Sequence, residues 1–281
     1  MKTWKKIVLG VSLISLFLGG GLVAWGYSQG GLIDLQNQTK SEQDYVKKEV
    51  DDFSKIDIKS SSYNVLIKNG DVDKATLSYY QKTKNPIDTS VKDGQLTIND
   101  NNSELDSTSN KHINFFGLKD LVRLSTLNKE VRNKTIVITL PKKQTIDFLK
   151  VDLATGNLDL SNSTIKQADI NLNVGDLTFT KMIVSQLKAN LDVGSVDSDN
   201  TLFTNSDLSI AMGDYSGDNL IFNGHNKLDV TSGDIEIVLK DYTLNVQADS
   251  HSGEVDITNN LKISKDNTLT ITSDLGDITV E

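Results

Sequence analysis

From about Val131 onward the chain alternates apolar and polar residues in short runs, and the runs repeat. A Gly, a short polar residue and an apolar residue recur at Gly156, Gly175, Gly194, Gly213, Gly233, Gly253 and Gly276, at intervals of 19, 19, 19, 20, 20 and 23 residues. Aligning on the Gly exposes columns. Two residues after it stand Leu158, Leu177, Val196, Tyr215, Ile235, Val255 and Ile278. Two further on stand Leu160, Phe179, Ser198, Gly217, Ile237, Ile257 and Val280. Three before it, Leu153, Leu172, Leu191, Ile210 and Val230 give way to Ser250 and Ser273. Nine after it come Ile165, Val184, Phe203, Phe222 and Tyr242. Period-2 alternation of this kind predicts short strands with one face buried, separated by outward residues such as Asp152, Asn171, Asn190 and Asp229.

A unit of about 19 residues cannot bury its apolar face alone. Ordering its backbone costs about 1–2 kcal/mol per residue, against about 1.5–3 kcal/mol returned by a buried Leu or Ile. Stacked units share their faces, so the constant interval predicts coils piled about 4.8 Å apart. The expected fold is all-β, a single-stranded parallel β-solenoid with about 19–20 residues per coil. An antiparallel meander or propeller of the same period is the alternative. In the solenoid, Leu153, Leu172 and Leu191 lie in one row and Phe203, Phe222 and Tyr242 form an aromatic ladder. The seven glycines are corners that need positive φ or close backbone approach. The strand at Ile278–Val280 is expected to be the last rung, an edge blunted by Glu281 or covered by another molecule.

The start of the chain obeys a different pattern. Lys2, Lys5 and Lys6 precede an uncharged apolar stretch from Ile7 to Ala24, closed by Trp25 and Tyr27. That length suits a transmembrane helix with its basic end in the cytoplasm and its aromatic end at the far interface. A cleaved signal peptide shares the charged start and apolar core, but no clear small-x-small cleavage site follows. Residues 1–27 are therefore expected to be a single-pass signal anchor, with the N-terminus cytoplasmic and the rest extracytoplasmic. Residues 28–50 read as a linker, and residues 51–281 as the solenoid domain. Its first part, 51–130, is less regular, and its regular repeats fill 131–281. Gly70-Asp71-Val72 resembles the later corners. A polar loop or short helix is expected within 99–130, where Ile113, Phe115, Phe116, Leu118, Leu121, Val122 and Leu124 are unusually apolar. These residues predict either a cover over the first rungs or, through Phe115 and Phe116, an interaction patch.

Composition narrows the chemistry. The chain has no Cys, which removes disulfides, thiolate metal sites and cysteine nucleophiles. Its 29 basic and 38 acidic residues give −9, and without the three lysines of the anchor the remainder carries −12. Such a surface repels nucleic acid. The polar residues beside the glycines are Asn157, Asp176, Ser195, Asp214, Asp234, Glu254 and Asp277. They read as solvated caps that accept local backbone N–H groups, with a weak divalent-cation site as the alternative. His112, His225 and His251 are far apart, and no nucleophile elbow, phosphate loop or dinucleotide turn is present. No catalytic residue, metal ligand or cofactor is assigned. A carbohydrate-processing enzyme with a carboxylate groove remains the alternative function, with Asp176, Asp214 and Asp234 as its candidates.

The run Lys134-Thr-Ile-Val-Ile-Thr-Leu-Pro-Lys-Lys143, the stretch Val151 to Leu160 and Leu228-Asp-Val-Thr-Ser-Gly-Asp-Ile-Glu-Ile237 resemble the bacterial DUF4097 family. This family of β-strand-repeat proteins is regarded as candidate adhesins and occurs among membrane-anchored envelope-stress accessory proteins of Gram-positive bacteria. The resemblance runs from about Phe53 to Glu281. It implies a parallel β-solenoid outside the cytoplasmic membrane, a structural or interaction role in the cell envelope, and another envelope protein or glycan as partner. It brings no catalytic residues.

Overall fold

The computed structural model describes residues 43–82, 85–100 and 134–281, and the elements below belong to the compact unit Asp44–Glu281. The expected anchor at 1–27, the linker up to residue 42, and the patch at Phe115 and Phe116 lie outside the described residues. Residues Gln43–Glu49, expected within the linker, form a strand beside Thr76–Lys82. The described residues form 25 strands and no helix.

One repeat shows how a coil is built. Strand Ala168–Val174 runs along a first side, the chain turns at Gly175-Asp176, and Leu177–Thr180 runs along a second. A left-handed residue, Lys181 at φ 54°, turns it onto the short third side, Ile183–Val184. Leu187–Val193 then lies directly over Ala168–Val174, parallel to it. First-side strands form a ten-stranded sheet; second and third sides join into one of fifteen strands through Tyr215–Asn223, which rounds the corner with a bulge. Register repeats without slippage: Leu153 pairs Leu172, Leu172 pairs Leu191, and Leu191 pairs Ile210. The alternation of the sequence becomes an alternation of inside and outside, with Ile170, Leu172, Leu177 and Phe179 all buried.

The interior absorbs the breaks in the columns. Ser198 and Gly217 interrupt an otherwise apolar row because Tyr215 stands one position away; its buried hydroxyl donates to Ser198 Oγ at 3.3 Å. A Cβ on Gly217 would come within 3.1 Å of the Tyr215 ring. Phe203 stacks on Phe222 with centroids 5.8 Å apart, as the ladder predicts, but its next aromatic partner is Phe179 of the second side, edge-on at 5.3 Å. Tyr242 is only half-buried. Ser206 and Asn226, both buried, satisfy each other through Asn226 Oδ1, which accepts from the Ser206 N–H at 3.0 Å and hydroxyl at 2.8 Å.

Both ends depart from simple sequence order. Strands Lys55–Ser60 and Asn64–Gly70 lie inside the stack, flanked on one side by Phe148–Leu153 and Leu158–Ser161. On their other side lie Gln95–Asn99 and Thr135–Pro141, from later in the chain. Antiparallel strands Thr76–Lys82 and Asp88–Lys92 close that end. The repeat that includes these strands is centred on Tyr63-Asn64, not on Gly70-Asp71: Val65 pairs Leu158, and Gly70 closes its strand opposite Pro141. At the other end, Thr268–Leu275 and Ile278–Val280 insert between His225–Ser232/Ile235–Leu239 and Asn245–Ser252/Val255–Ile257. The C-terminal strand is thus an inner rung, and the sheet edge is Asn245–Ser252. The apolar columns require this order: Ile271, Ile278 and Val280 are buried, whereas Ala248 and Ile257 are only half-buried and Val255 is exposed.

The corner explains the repeated Gly. Gly175, Gly194 and Gly213 hold φ of 150°, 149° and 141°. A Cβ on any of them would lie 1.9–2.1 Å from the carbonyl oxygen of the Gly one rung before. Backbone stacks on backbone, and no side chain fits between. Gly94, at φ 72°, meets nothing within 4 Å. Gly194→Ala is therefore expected to cost about 3 kcal/mol or more, and Gly94→Ala only about 1–2 kcal/mol of left-handed strain. Urea unfolding of the two variants would reveal the difference, and equal losses would mean the corner can relax. Deleting residues 268–281 should destabilise the chain more than cutting back an end rung, because it opens an inner position. Circular dichroism melts should show a loss well beyond the few degrees of an edge trim.

Candidate interaction faces

The outward residues form ruled columns because each rung repeats the last. On the first side one column reads Asp57, Lys150, Asp169, Lys188, Asp207 and Lys227, each directly paired in register with the next. Unlike charges thus face each other on adjacent rungs, which favours the register and removes the repulsion a uniform column would suffer. The neighbouring column is amide-rich. Asn171 Nδ2 donates to Asp152 Oδ1 at 3.0 Å, Asn190 Nδ2 to Asn171 Oδ1 at 2.9 Å, and Thr272 Oγ1 to Asp229 Oδ1 at 2.7 Å. The first side is therefore a flat, polar face on which acidic and basic groups alternate.

The polar residue after each Gly caps the rung stacked upon it. Asn64 Oδ1 accepts from the backbone N–H of Asn157 at 2.9 Å, Asn157 Oδ1 from Asp176 at 3.0 Å, and Asp176 Oδ1 from Ser195 at 3.0 Å. Beyond Ser195, whose Oγ accepts from Asp214 at 3.4 Å, the ladder continues from Asp214 to Asp234, Asp234 to Asp277 and Asp277 to Glu254, at 2.9, 2.9 and 2.8 Å. A short side chain ending in oxygen is what this geometry needs, and Asp, Asn and Ser supply it. The candidates Asp176, Asp214 and Asp234 are engaged in this ladder, one per rung, and do not face one another across a groove. Among the described residues no group of three or more His, Asp or Glu converges. His225 Nδ1 lies 3.0 Å from Thr268 Oγ1, and His251 is exposed on the edge strand. The seven glycines sit at the corners, each where a Cβ would meet the backbone of the neighbouring rung.

The second side carries a residue that sequence reasoning passed over. Its outward column reads Val137, Leu66, Asp159, Thr178, Asp197, Ser216 and Glu236. Burial, with a smaller contribution from the charge of Asp176, pushes the Asp159 carboxyl up to about 7. Beside it Thr178 Oγ1 is buried and finds no hydrogen-bond partner among the described residues. In sequence Asp159 is one outward Asp among many, and only tertiary surroundings distinguish it.

The Toastrack DUF4097 family model matches residues 53–281, and the chain belongs to that family. Among solved structures it is similar to a candidate cell adhesion protein from Clostridium sporogenes ATCC 15579, at 17% identity over 85% of this chain and 98% of that one, TM-score 0.33. It is also similar to a candidate adhesin from Bacteroides fragilis NCTC 9343, at 15% identity over 85% and 97%, TM-score 0.39. A candidate lipid-binding protein from Parabacteroides distasonis ATCC 8503 follows at 12% identity over 85% and 97%, TM-score 0.36. No curated protein matches the chain.

The raised Asp159 predicts a pH dependence. The unfolded chain releases this proton near pH 4 while the folded chain holds it to about 7, so the group's contribution falls as pH rises between those values and is flat above them. Asp159→Asn should stabilise the fold at pH 8 by on the order of 2–4 kcal/mol and much less at pH 4.5. Urea titrations at the two pH values check this; an equal effect at both would show that the carboxyl is not held protonated.

Proposed function

We propose that this chain is a membrane-anchored interaction module of the bacterial cell envelope. Its N-terminal segment holds it in the cytoplasmic membrane with the N-terminus inside, and its solenoid-like domain stands outside and presents its sheet faces to another envelope protein or a glycan. The role is non-enzymatic. Lys2, Lys5, Lys6 and the apolar stretch to Ala24 support the anchor, and membership of the Toastrack family, with the candidate adhesins among its structural relatives, supports the extracellular role.

The observation that carries the reading is the first side, where Asp57, Lys150, Asp169, Lys188, Asp207 and Lys227 set alternating charges at successive rungs of a flat sheet. Long faces of repeated chemistry suit extended contacts rather than enclosed pockets. Neutralising the column with Asp→Asn and Lys→Gln keeps shape and hydrogen-bonding capacity while removing its charge. Sedimentation of the purified protein with isolated cell walls should show retention for the native chain and about a tenfold loss for the neutralised one, since each lost cross-face ion contact costs about 0.2–1 kcal/mol. Undiminished retention would remove this face from the proposal. Protease applied to intact protoplasts should digest the domain, and protection would reverse the topology.

A further inference from the structure

The two ends of the stack are finished differently. At one end antiparallel strands close the sheets, and the outermost strands, Gln43–Glu49 and Asp88–Lys92, carry Lys47, Lys48 and Lys92. At the other, Asn245–Ser252 and Val255–Ile257 pair on one side only, and the edge they form contains no Lys and no Pro. Asn245 donates its N–H inward to Asn267 O at 3.0 Å, so in this parallel ladder the N–H and C=O groups of Val246 and Ala248 point off the end. Thr258 donates inward to Val280 O at 2.8 Å, and those of Val255 and Ile257 likewise point away. The same four residues pair with buried Leu269, Ile271, Ile278 and Val280, yet Val246, Ala248 and Ile257 are only half-buried and Val255 is 41% exposed. We propose that this edge is a strand-docking site, completed by an extended segment of a partner protein that alternates apolar and basic residues.

The chemistry of the edge selects that occupant. Unpaired backbone groups along a straight strand call for another strand, and an apolar residue at every second position of it would cover Val246, Ala248, Val255 and Ile257 as the next rung. Charge fixes its other face. Residues 225–281 contain eleven acidic residues against four lysines, and Asp249, Glu254 and Asp256 on the last rung are all exposed. The cap ladder also stops here: Glu254 donates its N–H to Asp277 Oδ1 at 2.8 Å, and no rung follows whose N–H its own carboxylate could accept. A second copy docked end to end would set two such acidic rungs against each other, whereas a basic strand is drawn to them. This site stands apart from the alternating charges of the first side and is used independently of them.

A synthetic peptide alternating Val with Lys is the probe, with Glu in place of Lys as its control. Fluorescence anisotropy against the full-length chain in zwitterionic nanodiscs should show the Lys peptide binding about tenfold or more tightly than the Glu peptide, and weakening as salt is added. Hydrogen exchange at Val246, Ala248, Val255 and Ile257 should slow when it binds. Ala248→Pro removes an N–H that serves no ladder bond and should cost about tenfold in affinity. Should that variant disturb the edge, Asp249→Asn with Glu254→Gln and Asp256→Asn leaves the backbone intact and should weaken the Lys peptide by about tenfold. Equal binding of the two peptides, or exchange at those four amides that the Lys peptide leaves unchanged, would overturn the proposal. Self-association of the native chain that Ala248→Pro abolishes would also overturn it, by giving the edge to a second copy.

Discussion

Every feature of this domain depends on the backbone of one rung resting against that of the next at the Gly corner. At Gly175, Gly194, Gly213, Gly233 and Gly276 the space a Cβ would need is filled by the preceding glycine's carbonyl. The contact locks the rungs in register, because sliding one coil by a single residue would drive a side chain into that carbonyl and turn every inward residue outward. Once register is locked, rows follow without further instruction: Leu153, Leu172 and Leu191 inside, Asp169, Lys188 and Asp207 outside.

Electrostatics then works with the register rather than against it. Acidic groups stacked every 4.8 Å or so would repel. The ladder beside the glycines avoids this cost by giving an oxygen of each Asn, Asp or Ser to the backbone N–H of the next rung. The first side avoids it by alternating Asp and Lys. The net acidity of the chain is thus compatible with a tall stack, and the faces of that stack repeat their chemistry along their length.

The ends show a different solution from the middle. Interior rungs are protected by their neighbours, and only the first and last have open edges. At one end the chain returns to place Gln95–Asn99 and Thr135–Pro141 outside an earlier coil, with antiparallel strands beyond them. At the other it tucks Thr268–Leu275 inward and leaves the less apolar Asn245–Ser252 at the edge. Well-packed apolar strands are thereby kept off the termini of the stack, and a polar strand meets solvent.

The sequence by itself determined the all-β class, the period and the inward columns, because a repeat of 19 residues with period-2 alternation has few ways to bury its apolar face. It also marked the corners, since a Gly followed by a capping oxygen is a local requirement. It placed the first corner wrongly at Gly70, where a turn-like triplet imitates the motif, while the true one uses Tyr63-Asn64 and has no Gly to betray it. Only the tertiary structure decided the order of the rungs at both ends. That order depends on which strand buries better against Val230 and Ile235, a comparison between segments distant in sequence, and the lengthened 23-residue interval was its sole trace. Likewise only the structure set Asp159 apart from Glu236: the two share an outward position in the repeat, and their surroundings, not their spacing, leave the first half-buried and the second exposed.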